Sequence, residues 1–226
     1  MTPSLLMHLG AWAPLSPAAV AFFHRDRTPA RRWVAVWCME LVAANAVSLG
    51  LGSVGINNHW LGHVLRPVLG GTALYALSRW QTAGLGRLAL TIAIPVFMSV
   101  SLVISFAIED PSTFSLFVAP FHSLVLVCAG LWTFVNRGVA EQRPYAGCDW
   151  FWIIGGMVVY AGTSTIREPV SLYLMSRRPE LIMNVFNANA VANLVAFAAM
   201  TWGMLCPTLP RSSGGSSSQR PSRLGF

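Results

Sequence analysis

The sequence predicts an all-α integral membrane protein, and three observations support this prediction. Hydrophobic residues make up 54% of the 226 residues and charged residues only 10%, whereas a soluble domain carries about 25% charged residues. The mean hydropathy is +0.57. The apolar residues are gathered in seven stretches of about 20 residues, the length at which a helix crosses a bilayer. We therefore expect a polytopic bundle of seven transmembrane helices.

The seven predicted spans are joined by short connections. They cover residues 4–23, 32–54, 61–78, 88–106, 115–134, 150–172 and 184–204. The first span is the weakest, because Pro14 and Pro17 interrupt it, and a six-span protein with an interfacial first segment is the alternative. A signal peptide would begin with lysine or arginine, and neither occurs before Arg25. We therefore expect the first segment to be retained.

The distribution of arginine predicts the orientation. Eleven arginines fall in the first, third and fifth connections and in the C-terminal segment, whereas the opposite connections hold only Arg177 and Arg178. Cytoplasmic connections are enriched in basic residues, so we expect the N-terminus outside and the C-terminus cytoplasmic, in a bacterial cytoplasmic (inner) membrane. Residues 1–206 are the predicted membrane domain. Residues 207–226, rich in Ser, Gly, Pro and Arg, are expected to be a disordered cytoplasmic tail.

The residue content excludes several kinds of chemistry. All fifteen basic residues are arginine, so a retinal or pyridoxal Schiff base, a P-loop lysine and a lysine general base are excluded. No G-x-S-x-G, S-x-x-K, glycine-rich phosphate loop or acidic metal motif occurs. The net charge of +7 reflects orientation signals rather than nucleic-acid binding. We expect no cofactor, metal, catalytic residue or nucleic-acid partner, and we do not favour an enzyme.

Polar side chains within the spans give the candidate site, because ionisable residues inside a membrane are costly and are by default functional. On the third span, His59, His63 and Arg66 share one helical face. Arg66, Arg167 and Glu168 are expected roughly 6–8 Å below the outer surface, from the helical rise per residue. The same extracytoplasmic layer is expected to hold polar residues of three further spans, Ser101, Ser105, His122 and Asn187. We expect these residues to form a pocket for a small polar or anionic ligand.

Structural interpretations of the same residues remain open. Arg66 and Arg167 could extend their charged ends to the membrane surface, or could pair with Glu168 and hold the third and sixth spans together. The asparagines of the seventh span could form hydrogen bonds between helices. His122 follows Pro120 closely and could bond a carbonyl freed by the proline.

The histidines leave two metal-dependent alternatives. His59 and His63 have the spacing of two metal ligands on one helical face, but a third ligand would have to come from His122 or Glu168. His63 and His122 could also be axial ligands of a haem. We keep both as alternatives to the ligand pocket.

Glu40 lies apart from this layer, about 12 Å from the cytoplasmic end of the second span at the helical rise. It could be one station of a proton relay. We favour a neutral hydrogen-bond donor to a neighbouring helix, because burial disfavours the ionised carboxylate.

Four functions follow from this pattern. We favour a receptor-like or sensory module in the lipid bilayer that binds a small polar or anionic ligand and signals through a separate cytoplasmic or membrane protein partner. A small proton-coupled transporter that uses Glu40 is the second hypothesis. The others are an enzyme acting on lipid headgroups, with His63 or His122 as general base, and a structural subunit of a membrane complex.

Overall fold

The computed structural model describes residues 4–24, 28–81, 84–113, 115–142 and 144–207, and these residues are helical with short connections and no strand. The α-helices are α1 (Leu5–Trp12), α2 (Leu15–Phe23), α3 (Pro29–Ser53), α4 (His59–Trp80), α5 (Leu85–Val103), α6 (Val118–Ala140), α7 (Asp149–Arg177) and α8 (Ile182–Leu205). The end of α5 continues as a π-helix over Ile104–Ile108. The all-α prediction is confirmed.

The first predicted span consists of two short helices rather than one. The Ser4 hydroxyl accepts a hydrogen bond from the backbone N–H of Met7 and so caps the start of α1. The helix ends at a turn over Ala13 and Pro14, and α2 begins directly afterwards at Leu15. Proline has no N–H to donate to the preceding turn, so the break lies where Pro14 interrupts the apolar run.

The protein is an integral, multi-pass membrane protein. Five helical segments are long and apolar enough to cross a membrane, namely Leu5–Phe23, Pro29–Ser53, Leu85–Ile108, Val118–Ala140 and Pro179–Leu205. The two remaining long helices, α4 and α7, are those that contain Arg66 and the Arg167–Glu168 pair. Charged side chains therefore lower the hydropathy of just the two helices that carry most of the candidate site.

The helices pack as a closed ring with six positions, one of which is occupied by the α1–α2 pair. The α1–α2 pair contacts α3 and α8; α3 contacts α4, α4 contacts α6, α6 contacts α7, and α7 contacts α8. Helix α5 packs mainly on α4, outside this ring. Two helices of the ring approach α8 closely at glycines. At Gly10 of α1, an added Cβ would lie 3.0 Å from Ala190, and at Gly156 of α7 it would lie 2.5 Å from the carbonyl oxygen of Ala196.

Arg31 joins three helices at the arginine-rich end of the bundle. Its Nε donates to the carboxylate of Asp149 at the start of α7 (2.9 Å). Its two terminal nitrogens donate to the carbonyls of Met204 (3.3 Å) and Cys206 (2.6 Å) at the end of α8. These carbonyls have no partner within the helix, so an arginine expected to mark orientation also closes the ring.

Two helix ends differ from the sequence prediction, so the charged residues lie further from the ends of their helices than expected. Helix α4 begins at His59, and α7 continues to Arg177 rather than ending near residue 172. Counted from these ends at the helical rise, Arg66 lies about 10 Å along α4 and Glu168 about 14 Å along α7. Both distances along the helix exceed the 6–8 Å expected from the predicted span ends. The predicted tail from residue 208 onward lies outside the described residues.

Candidate polar cavity in the helix bundle

A central cavity of about 240 Å³ lies inside the ring of helices. Residues of α1, α3, α4, α6, α7 and α8 line it, and α5 contributes none. Its polar lining comprises Asn45, Arg66, His122, Ser123, Tyr160, Ser164, Arg167, Glu168, Asn189 and Asn193. A water molecule occupies about 30 Å³ of liquid, so the cavity has room for about eight waters or one small organic ligand.

A second cavity, which we call the vestibule, adjoins the first and has a volume of about 520 Å³. It reaches the connections at the arginine-poor end, where Asn58, His59 and Ser115 line it. Arg66 and Glu168 line both cavities. The charged side chains therefore lie between the central cavity and one end of the bundle.

Arg66 is largely buried but makes no hydrogen bond within the described residues. Its side chain is 20% exposed, and its Nη2 lies 3.6 Å from Oε1 of Glu168, an ion-pair distance. The guanidinium lies over Gly62 one turn away, where an added Cβ would be 3.3 Å from Nη1. A guanidinium has five N–H donors, so Arg66 retains a large capacity to bind an anion.

Glu168 is the acidic centre of this cluster. Its Oε1 accepts a hydrogen bond from Nη2 of the adjacent Arg167 and is also the atom that Arg66 approaches. The ion pairing of the third and sixth spans, one of the structural interpretations that the sequence left open, is thus present. However, two arginines share one carboxylate, so the cluster carries one formal positive charge in excess.

Three further lining side chains have polar atoms without a hydrogen-bond partner among the described residues. These atoms are Nε2 of His122 and Oδ1 of both Asn189 and Asn193. The ring of His122 packs against Phe97, at 5.8 Å between centroids, and against Gly70. A buried polar atom without a partner costs about 1–3 kcal/mol, so these side chains favour a polar occupant.

His63 is directed away from the cavity, although it lies only three residues before Arg66. Its side chain is fully buried, with Nδ1 3.5 Å from Oε2 of Glu109 and Nε2 3.4 Å from the carbonyl oxygen of Thr113. Glu109 also accepts hydrogen bonds from the backbone N–H groups of Phe117 and Val118 at the start of α6. His63 therefore helps to hold the α5–α6 connection, and it lines neither cavity.

The other predicted residues fall in three places. His59 lines the vestibule. Asn187 lines neither cavity and accepts a 2.6 Å hydrogen bond from the hydroxyl of Ser4, as expected of an interhelical contact. Glu40 accepts a 3.0 Å hydrogen bond from Thr72 across the α3–α4 contact and lies on a separate, mainly apolar groove beside α2.

The predicted polar layer also included two serines of the fourth span, and these do not reach the cavity. Ser101 and Ser105 are fully buried, and the hydroxyl of Ser105 donates to the carbonyl of His63 at 3.3 Å. They support α4 from the outer side of the ring. Conversely, the cavity-lining role of Asn45 and of α1 was not predicted, because the sequence gives no signal for where a short, proline-broken helix packs.

Most polar groups that line the central cavity are of kinds that can donate hydrogen bonds to an anion. The described residues contain no group of three or more His, Cys, Asp or Glu side chains placed to hold a metal ion. Guanidinium, amide and hydroxyl groups dominate the lining instead.

Comparison with family models, curated proteins and solved structures finds no match to this chain.

Proposed function

We propose that this protein is a seven-span, receptor-like membrane module that binds a small anionic ligand in its central cavity and signals through a separate protein partner. Arg66 carries the proposal. It is four-fifths buried, lines both cavities, and has no hydrogen bond within the described residues. A carboxylate presents two oxygens that match the guanidinium fork.

The charge balance of the cluster supports the same conclusion. Arg167 and Glu168 are neighbours on α7 and neutralise each other. Arg66 adds an uncompensated charge from α4, and such a charge is costly inside a membrane. A bound monoanion would neutralise the cluster and accept hydrogen bonds from N–H groups of Arg66 that have no acceptor within the described residues. The ligand would enter through the vestibule, because Arg66 faces both spaces.

Ligand-induced stabilisation of the purified protein tests the proposal. A small monocarboxylate at about 100 times its Kd should stabilise the folded protein by about 2.7 kcal/mol, which corresponds to a rise in Tm of about 5–10 °C for a chain of this length. Arg66→Gln should weaken binding on the order of 100-fold. This variant leaves Arg167 to neutralise Glu168, so it should fold.

Arg79→Gln is the matched control, because Arg79 lies on the same helix near the ring of Tyr75 and lines neither cavity. It should bind like the unmodified protein. Equal stabilisation of the unmodified protein and Arg66→Gln would refute the proposed site.

The orientation is part of the proposal and has its own test. In a background without native cysteines, Ile56→Cys lies in the α3–α4 connection and Leu85→Cys lies at the start of α5, both exposed. A membrane-impermeant maleimide added to spheroplasts should label Ile56→Cys and leave Leu85→Cys unlabelled until the membrane is opened. The reverse pattern would overturn the proposed orientation.

A further inference from the structure

We infer that the ligand is a small hydroxylated monocarboxylate, with its carboxylate on Arg66 and its hydroxyl groups in the central cavity. This inference rests on the proposed function, since it specifies what the same cavity holds. Three properties of the cavity lead to it: its charge, its size and the polar groups on the side opposite Arg66.

The charge selects a monoanion. Arg66 and Arg167 share Glu168, which leaves one positive charge in excess. A dicarboxylate would leave the occupied cluster with an unpaired negative charge. A phosphate monoester carries about −1.5 to −2 near neutral pH and would overcompensate as well. A charge left unpaired in a low-dielectric site opposes binding.

The size selects a short molecule. The central cavity holds about 240 Å³, below the range of roughly 300–1,000 Å³ that is typical of sites for drug-sized ligands. Bulky apolar side chains, including Phe186 and Phe197, complete its wall. A carboxylic acid of three or four carbons fits this space, whereas a nucleotide or a fatty acid is too large for it.

Asn189 and Asn193 of α8, which we call the polar wall, favour a ligand with hydroxyl groups over one with an alkyl chain. Oδ1 of Asn189 and Oδ1 of Asn193 are acceptors without a donor in the described residues, and both side chains line the cavity. The two residues lie one turn apart on α8, about 6 Å. Both oxygens are buried, and a half-turn of each amide about its terminal bond would exchange the positions of its oxygen and nitrogen. An alkyl chain would leave both oxygens unsatisfied.

Four three-carbon probes test this inference by thermal stabilisation of the full-length protein. Glycerate has hydroxyl groups, propionate lacks them, malonate has a second carboxylate, and serine is a zwitterion. We expect glycerate to bind about tenfold or more tightly than propionate, since each lost hydrogen bond leaves a buried acceptor unpaired. Malonate and serine should also bind more weakly than glycerate.

Variants of α8 assign the preference to the polar wall. The double variant Asn189→Leu with Asn193→Leu should lose the preference for glycerate over propionate. Asn184→Leu is the control, because Asn184 is exposed at the start of the same helix and lines neither cavity. It should keep the preference.

The outcomes separate this inference from the proposed function. If propionate or malonate binds as tightly as glycerate and Arg66→Gln abolishes that binding, the anion site stands and the hydroxylated ligand is wrong. Retention of the glycerate preference in the α8 double variant would also overturn the inference. If none of the four probes stabilises the protein, the proposed function itself fails.

Discussion

Gly156 fixes the distance between α7 and α8, and Gly156→Ala should therefore destabilise the protein. An added Cβ would lie 2.5 Å from the carbonyl oxygen of Ala196 and 2.6 Å from Cγ of Met200. Met200 can change rotamer, but Ala196 presents helix backbone. Ordinary contact begins at 3.4 Å, so the helices would have to separate by about 0.9 Å in a closely packed interior.

The expected magnitude follows from two opposing effects. Overpacking costs about 1–3 kcal/mol, and replacing glycine by alanine within a helix recovers up to about 1 kcal/mol. Gly156→Ala should therefore lose about 1–2 kcal/mol of unfolding free energy. Gly155 provides the control on the neighbouring position, because a Cβ there meets nothing within 4 Å. Gly155→Ala should gain about 0.5–1 kcal/mol.

Thermal unfolding of both variants in one detergent, followed by tryptophan fluorescence, measures the difference. At about 2–4 °C per kcal/mol for a chain of this length, Gly156→Ala should melt roughly 3–12 °C below Gly155→Ala. If Gly156→Ala melts at or above Gly155→Ala, the α7–α8 contact is not as close as described.

Three further variants test other contacts by the same melting assay. Arg31→Gln should cost about 3–5 kcal/mol because it removes one partner of a buried ion pair, while Arg32→Gln, at an exposed position, should stay within about 0.5 kcal/mol. Thr72→Val removes the hydroxyl that donates to Glu40 and should cost about 1 kcal/mol without changing ligand binding. In the α5–α6 connection, a hydrogen bond from the backbone N–H of Ser112 lowers the pKa of Asp110. The stability that this bond contributes is present above the unfolded pKa of Asp110 and is lost as the pH falls through its folded pKa. Asp110→Asn should therefore weaken the dependence of the unfolding free energy on pH below about pH 4.

Local sequence patterns were sufficient to predict the all-helical fold and to offer the pairing of Arg66 with Glu168 as one interpretation. Long apolar runs and the spacing of charged residues are properties of a single helix, and the sequence therefore contains them directly. The expectation that charged residues of two spans would meet rested on the cost of leaving them unpaired in a membrane. In the structure, Nη2 of Arg66 lies 3.6 Å from Oε1 of Glu168.

The contact of His63 with Glu109 could not be predicted from the spacing of residues along one helix. His63 and Arg66 are three residues apart, and their directions differ by only about 60° around the helix. That angle suffices for one side chain to reach Glu109 and for the other to reach the cavity. Which neighbour lies at each angle depends on how α5 and α6 pack against α4, and spacing within one helix carries no information about that packing.

The break between α1 and α2 shows a second limit of sequence reasoning. Pro14 and Pro17 indicated an interrupted span, but a proline in a membrane helix can produce either a kink or an end. Here Gly10 approaches Ala190 closely enough for an added Cβ to contact it at 3.0 Å. Helix α1 thus packs on α8 and contributes to the cavity wall, a long-range contact that the local pattern does not specify.

A comparison of Arg31 with Arg66 shows why the proposed binding site rests on the cavity rather than on burial alone. Arg31 is 2% exposed, and its Nε and both terminal nitrogens donate to Asp149 and to two carbonyls, so its side chain is satisfied by the protein itself. Among the described residues, Arg66 makes one ion-pair contact at 3.6 Å, shares its carboxylate partner and lines the cavity. If Arg66 served only to join α4 to α7, a neutral hydrogen-bonding side chain would do so without the cost of an excess charge in the membrane. The unused N–H groups and the excess charge are what an anionic ligand would satisfy together.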